Sequence, residues 1–93
     1  MKKYEALVIL NPDLADEQKE AIIKKIFAPV ESAQGTIDGV DKWGVKKLAY
    51  TIKFKHDGYF ALVTFTAPTS VVKEITNQAN LLENVFRCVI TAK

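Results

Sequence analysis

The stretch WGVKKLAYTIKFKHDGYFALVTF, residues 43–65, decides the fold. It predicts a tight basic turn at Gly44-Val45-Lys46-Lys47, a strand from Leu48 to Lys55, a reversal at His56-Asp57-Gly58, and an apolar return strand from Tyr59 to Phe65. Two strand-like runs joined by a short loop holding Asp-Gly spell a β-hairpin, because glycine supplies the positive φ that such turns need. From Lys42 to His56 there are five lysines and no acid, and aromatic residues are interleaved at Trp43, Tyr50, Phe54, Tyr59 and Phe60. Cations mixed with rings suit a surface offered to an anion better than a reaction centre.

Working outward, Lys2 to Leu10 predicts a strand with apolar residues on both faces: Tyr4, Ala6, Val8 and Leu10 on one, Leu7 and Ile9 on the other. Such a strand is covered on both sides, or its second face meets a partner. Asn11-Pro12-Asp13 ends it. Asp16 to Ala33 predicts a helix capped by Asp13 or Asp16, with Ile22, Ile23, Ile26, Phe27 and Val30 as its buried stripe. Pro29 removes a backbone donor inside that helix, so a kink or a stop near Ala28 is expected, with Gln34-Gly35 ending the element. Thr36 to Tyr50, with Ile37 and Val40 inward, gives a second strand in which Gly39 and Gly44 mark bulges or a bend. The third strand, Tyr59 to Thr66, is broken by Ala67-Pro68-Thr69. A second helix then runs from Ser70 to Asn80, capped by Thr69 or Ser70 and striped by Val71, Val72, Ile75 and Ala79. Asn80 to Asn84 is a polar loop, and Val85 to Ala92 a last strand rich in β-branched residues.

Strand, helix, strand, strand, helix, strand is the split β-α-β-β-α-β order of a ferredoxin-like α+β fold. Right-handed crossovers put both helices on one face of a four-stranded antiparallel sheet. Alternation then turns Tyr59, Ala61, Val63 and Phe65 toward the helices. Leu7, Ile9, Phe60 and Leu62 are left as an exposed apolar patch on the open face, the kind of surface that marks a contact site.

The 93 residues suit one domain spanning 1–93, and a hydrophobic content of 48% is globular. No apolar run nears a membrane span, and Ala6 to Leu10 is too short for a signal-peptide core. The single cysteine, Cys88, fits a reducing cytosol. The net charge of +2 hides an asymmetry: residues 1–41 carry five lysines and eight acids, residues 42–93 eight basic residues and three acids. That imbalance points to one anion-facing side or to an uneven solvated surface.

Catalytic constellations are weak. His56, the only histidine, falls in the predicted turn, and Cys88 lies in an apolar strand without a base partner. Asp16, Glu17 and Glu20 suit a helix N-terminus, and neither metal-ligand spacing nor a phosphate-binding glycine loop occurs, so no metal and no cofactor is expected. Small acyl-phosphatases share this topology but need an arginine in a glycine-rich loop, whereas the only arginine, Arg87, opens the last strand. Nucleic-acid binding is the stronger reading: Lys2, Lys3, Lys46, Lys47, Lys53, Lys55 and Arg87 are able to neutralise phosphates, against the plainer alternative of solubilising lysines that guard a sheet edge. The run Gly58-Tyr59-Phe60-Ala61-Leu62-Val63-Thr64-Phe65 partly echoes the third-strand motif of RNA-recognition motifs, but the first strand offers Leu7 and Ile9 where an aromatic would be wanted.

Five segments in order carry a closer likeness: Tyr4-Glu5 before an apolar strand, Leu10-Asn11-Pro12, Gly44-Val45-Lys46-Lys47-Leu48-Ala49-Tyr50, Asp57-Gly58-Tyr59-Phe60, and Asn84-Val85-Phe86-Arg87. Over essentially its whole length the sequence resembles the bacterial ribosomal protein S6 family, and the basic segment from Gly44 to Tyr50 is the most specific match. The resemblance implies a non-catalytic constituent of the small ribosomal subunit in the cytoplasm. It would bind the central domain of 16S ribosomal RNA together with ribosomal protein S18 and support assembly. It implies RNA contacts at Lys2, Lys3, Lys46, Lys47 and Arg87, and the outward residues Leu7, Ile9, Phe60 and Leu62 are the corresponding partner-side candidates. Two features depart from the family pattern: Pro29 inside the first helix, and the sequence ending at Lys93 where many members carry a further tail.

Overall fold

A computed structural model describes residues 1–52 and 55–93. The chain forms β1 (Lys2–Leu10), α1 (Asp16–Ser32), β2 (Thr36–Ile52), β3 (Lys55–Ala67), α2 (Thr69–Leu81) and β4 (Val85–Ala92). The strands make one antiparallel sheet in the order β2-β3-β1-β4. This is the split β-α-β-β-α-β architecture that the pattern predicts, and the bounds of β1 and β4 agree residue for residue.

Alternation sorts the sheet into two faces. Tyr4, Ala6, Val8 and Leu10 of β1 and Ala61, Val63, Phe65 and Ala67 of β3 are buried against Ile23, Ile26, Phe27 and Val30 of α1 and Val71, Ile75 and Ala79 of α2. Phe65 sits at the centre, its ring 5.5 Å from that of Tyr4 and 5.6 Å from that of Phe27. Removing a side chain of this kind from water contributes about 1.5–3 kcal/mol.

Several local expectations give way to tertiary packing. His56-Asp57-Gly58 is not a turn: Asp57 pairs with Lys47 and Gly58 with Lys46, inside β3. Gly58 is there for close approach, since a Cβ at that position would lie 2.5 Å from Ile9 Cγ2 and 3.1 Å from Leu48 Cδ2. Ile52 pairs with Lys55, and the predicted strand residues Lys53 and Phe54 lie outside the described residues. Gly44 to Lys47 is likewise part of β2, not a separate turn. Register shifts occur at Ile37/Gly39 and Lys42/Gly44, the second with Gly44 at φ 85°, so both glycines sit at the expected bulges. Val40 shares the helix-side face but is 45% exposed, because α1 leaves the edge strand partly uncovered.

α1 runs through Pro29 without a break. Its N-cap is Ala15, whose N–H donates to Gln18 Oε1 at 3.1 Å, while Asp13 is drawn off to an ion pair with Lys55. At the other end the N–H of Gly35 donates to Val30 O (2.7 Å) and that of Gln34 to Glu31 O (3.0 Å), a Schellman closure with Gln34 at φ 63°. α2 follows Pro68 directly, with neither Thr69 nor Ser70 acting as a side-chain cap; Thr69 Oγ1 instead accepts from the Tyr4 hydroxyl at 3.3 Å. The helix continues to Leu81, one residue past its expected end at Asn80.

Candidate functional site

The face opposite the helices is built in rows that the register defines. One row crosses the sheet as Asp41, Leu62, Leu7 and Val89, the next as Gly44, Phe60, Ile9 and Arg87. Leu7, Phe60 and Leu62 are half-buried and Val89 is exposed. Ile9 departs from expectation: it is only 6% exposed and so is not a surface residue.

The cause lies in β2. Between the pairs Lys47↔Asp57 and Ile52↔Lys55, β2 holds Leu48, Ala49, Tyr50 and Thr51 where β3 holds His56 alone. The surplus chain leans over the open face, and Leu48, Ala49, Tyr50, Ile9, Phe60 and Arg87 line a pocket of about 180 Å³ there. Tyr50 thereby reaches Arg87, whose guanidinium carbon is 5.8 Å from the ring centre.

The β2 side of the face carries a second cation–ring pair. Trp43 lies at the Lys42/Gly44 bulge, its indole N–H donates to Asp41 Oδ2 at 3.1 Å, and Lys46 Nζ lies 5.0 Å from the ring centre. The half-buried apolar centre is thus flanked by Trp43–Lys46 on one edge strand and Tyr50–Arg87 at the other. Sequence reasoning noted these aromatics but had no signal for their partners, because bulges break the alternation that assigns faces.

The five basic residues singled out from the sequence fall in two groups. Lys46, Lys47 and Arg87 lie toward one end of the strands. Lys2 and Lys3 lie toward the other, about 20 Å away along β1 from the row of Arg87. Four other cations are neutralised. Lys19, Lys42, Lys55 and Lys93 each have a carboxylate within ion-pair distance, at Asp16, Glu20, Asp13 and Glu5. Among the described residues, Lys2, Lys3, Lys46, Lys47 and Arg87 have none, and neither do Lys24 and Lys25 of α1 or Lys73 of α2. Lys42 is committed to the helix side: its hydrogen bond to Glu20 lowers the carboxyl pKa and raises its own. Cys88 points to the core side of β4, opposite Val8, and burial pushes its thiol up to about 11, which keeps it protonated and unreactive near neutrality.

The family profile described as ribosomal protein S6 matches residues 3–92. The chain belongs to the ribosomal protein S6 family. The small ribosomal subunit protein bS6 of Clostridium botulinum strain Hall is 42% identical over 90 residues, covering 97% of this chain and 96% of that relative. The crystal structure of 30S ribosomal protein S6 from Thermotoga maritima shares the fold with a TM-score of 0.88 over 99% of this chain and 87% of that one, at 24% identity. The solution structure of the C-terminal domain of the MgtC protein from Mycobacterium tuberculosis shares it more distantly, with a TM-score of 0.66 over 100% of this chain and 88% of that one, at 13% identity. A fold held in common by proteins so differently named does not carry function by itself. The S6 family is one of ribosomal proteins of the small subunit, cytoplasmic on the bacterial ribosome, and not an enzyme family.

Proposed function

We propose that this S6 family chain acts as one non-catalytic domain that binds the central domain of 16S ribosomal RNA together with ribosomal protein S18 and supports assembly of the small subunit. The observation that carries the reading is unpaired positive charge on the strands of the sheet. Among the described residues, the five basic residues that match the family all lack a carboxylate partner, so their charge is available to phosphates; Lys24, Lys25 and Lys73 lack one too but lie on the helices. In this reading Lys46, Lys47 and Arg87 anchor one end of the sheet on RNA, and Lys2 and Lys3 the other. Leu7, Phe60 and Leu62 meet the partner protein, with Ile9 supporting them from beneath. Assembly then works by mutual support: the pair presents a joint surface, phosphate contacts anchor it, and an RNA fold that would otherwise open is held closed.

A pull-down with this chain as bait on cell extract, with and without ribonuclease, tests the pairing. Recovery of S18 that survives ribonuclease supports it. Recovery of nothing but ribonuclease-sensitive RNA would instead favour a free-standing single-strand binder.

A further inference from the structure

The Trp43–Lys46 pair has features that phosphate anchoring and partner docking do not require. The indole is held in place on its edge by Asp41, 3.1 Å from the ring N–H, and by the Lys46 ammonium 5.0 Å from the ring centre, yet 41% of the residue remains exposed. A large ring left in water is usually buried by a neighbour, and here two polar contacts fix its orientation without covering it. The fixing is local: Trp43 sits on the bulge that Gly44 makes possible with φ 85°, which turns the side chain off the regular alternation of the edge strand. Lys46 has no carboxylate within ion-pair distance among the described residues, so its charge is open to a ligand.

A flat exposed ring beside an unneutralised ammonium matches one chemical unit, a nucleobase with its own phosphate. The base stacks on the indole, and the ammonium meets the phosphate. Stacking on an aromatic ring requires a base that is not already stacked in a duplex, and this selects unpaired nucleotides. We infer that Trp43 and Lys46 form a stacking site for an unpaired nucleotide of the bound RNA. The inference rests on the RNA-binding reading above. It differs in adding an apolar, salt-insensitive contact to what is otherwise phosphate neutralisation, and this difference is measurable.

Trp43 is the only tryptophan of the chain, so its emission reports on this site alone. The test uses the full chain with S18 and a transcript of the 16S central domain, comparing wild type with Trp43→Leu, Trp43→Phe and Lys46→Ala at several salt concentrations. Difference spectra against Trp43→Phe remove any emission from the partner. The expected result is quenching of Trp43 on RNA addition and a roughly 5- to 100-fold loss of affinity in Trp43→Leu. The salt slope of Trp43→Leu should stay at its wild-type value, Trp43→Phe should retain most of the affinity, and Lys46→Ala should lower the slope by about one. Wild-type binding without quenching, and with unchanged affinity in Trp43→Leu, would overturn the stacking site and leave the assembly reading intact. A Trp43→Leu defect that appears already in S18 binding without RNA would also overturn it, by assigning the ring to the protein partner. Failure of wild type to bind the transcript would overturn both.

Discussion

The guanidinium of Arg87 on β4 stands 5.8 Å from the ring centre of Tyr50 on β2, although β3 and β1 lie between those strands. The contact exists because β2 carries four residues where β3 carries one, and the surplus spans the open face above Phe60 and Ile9. An exposed cation–ring contact is worth about 0.5–1 kcal/mol. A double-mutant cycle of Tyr50→Leu and Arg87→Ala, read by denaturant unfolding, is expected to show coupling of about that size; additive effects would show that this contact does not help to hold the strap.

Pro29 leaves α1 continuous but without one interior hydrogen bond, since proline has no N–H to give to Lys25 O. Pro29→Ala is expected to raise stability by about 1–3 kcal/mol in equilibrium unfolding. The change is far from the open face and should leave RNA affinity unaltered.

The end of α1 separates two roles that a glycine often fills at once. Gln34 takes the left-handed conformation, and Gly35 packs against backbone: a Cβ on it would lie 2.4 Å from Thr66 O. Gln34→Gly is therefore expected to stabilise by about 1 kcal/mol. Gly35→Ala should destabilise by about 1–3 kcal/mol, because backbone must move to admit the methyl group. Thermal melts of the two variants should shift in opposite directions.

Cys88 ties stability to alkaline pH. Its thiol is pushed up to about 11 by burial, above the ordinary value near 9. Below 9 both folded and unfolded chains keep the proton and the linkage costs nothing. Between 9 and 11 the unfolded chain ionises first, so stability falls as pH rises. The unfolding midpoint of Cys88→Ala is expected to depend less on pH across that window than that of wild type, and alkylation of the native thiol at pH 8 should be slow until denaturant is added.

Legibility followed periodicity. β1, β4, the helix-facing half of β3 and the stripes of both helices alternate cleanly, and the sequence placed them within a residue or two. The misreadings share a cause: a residue chosen for a tertiary reason carries the same letter as one chosen for a local turn. Gly58 next to Asp57 spells a hairpin reversal, but its missing side chain makes room for Ile9 and Leu48. Asp13 spells a cap, but Lys55 holds it. At the candidate site the basic residues were visible as letters. Their freedom from carboxylates among the described residues, the burial of Ile9 and the pairing of Trp43 with Lys46 and Tyr50 with Arg87 were not, because each depends on which elements the fold brings together, and the last three on irregularities of β2 that break the alternation.

The most direct test of the account is the affinity of the chain, together with S18, for a transcript of the 16S central domain, as a function of salt, in wild type and in the Lys46→Glu, Lys47→Glu double variant. The expected result is an affinity at least tenfold lower at matched salt, a salt dependence shallower by about two counterions, and an unchanged unfolding midpoint. Equal affinity and equal salt slope in the two proteins would contradict it and remove the basic segment of β2 from the RNA surface.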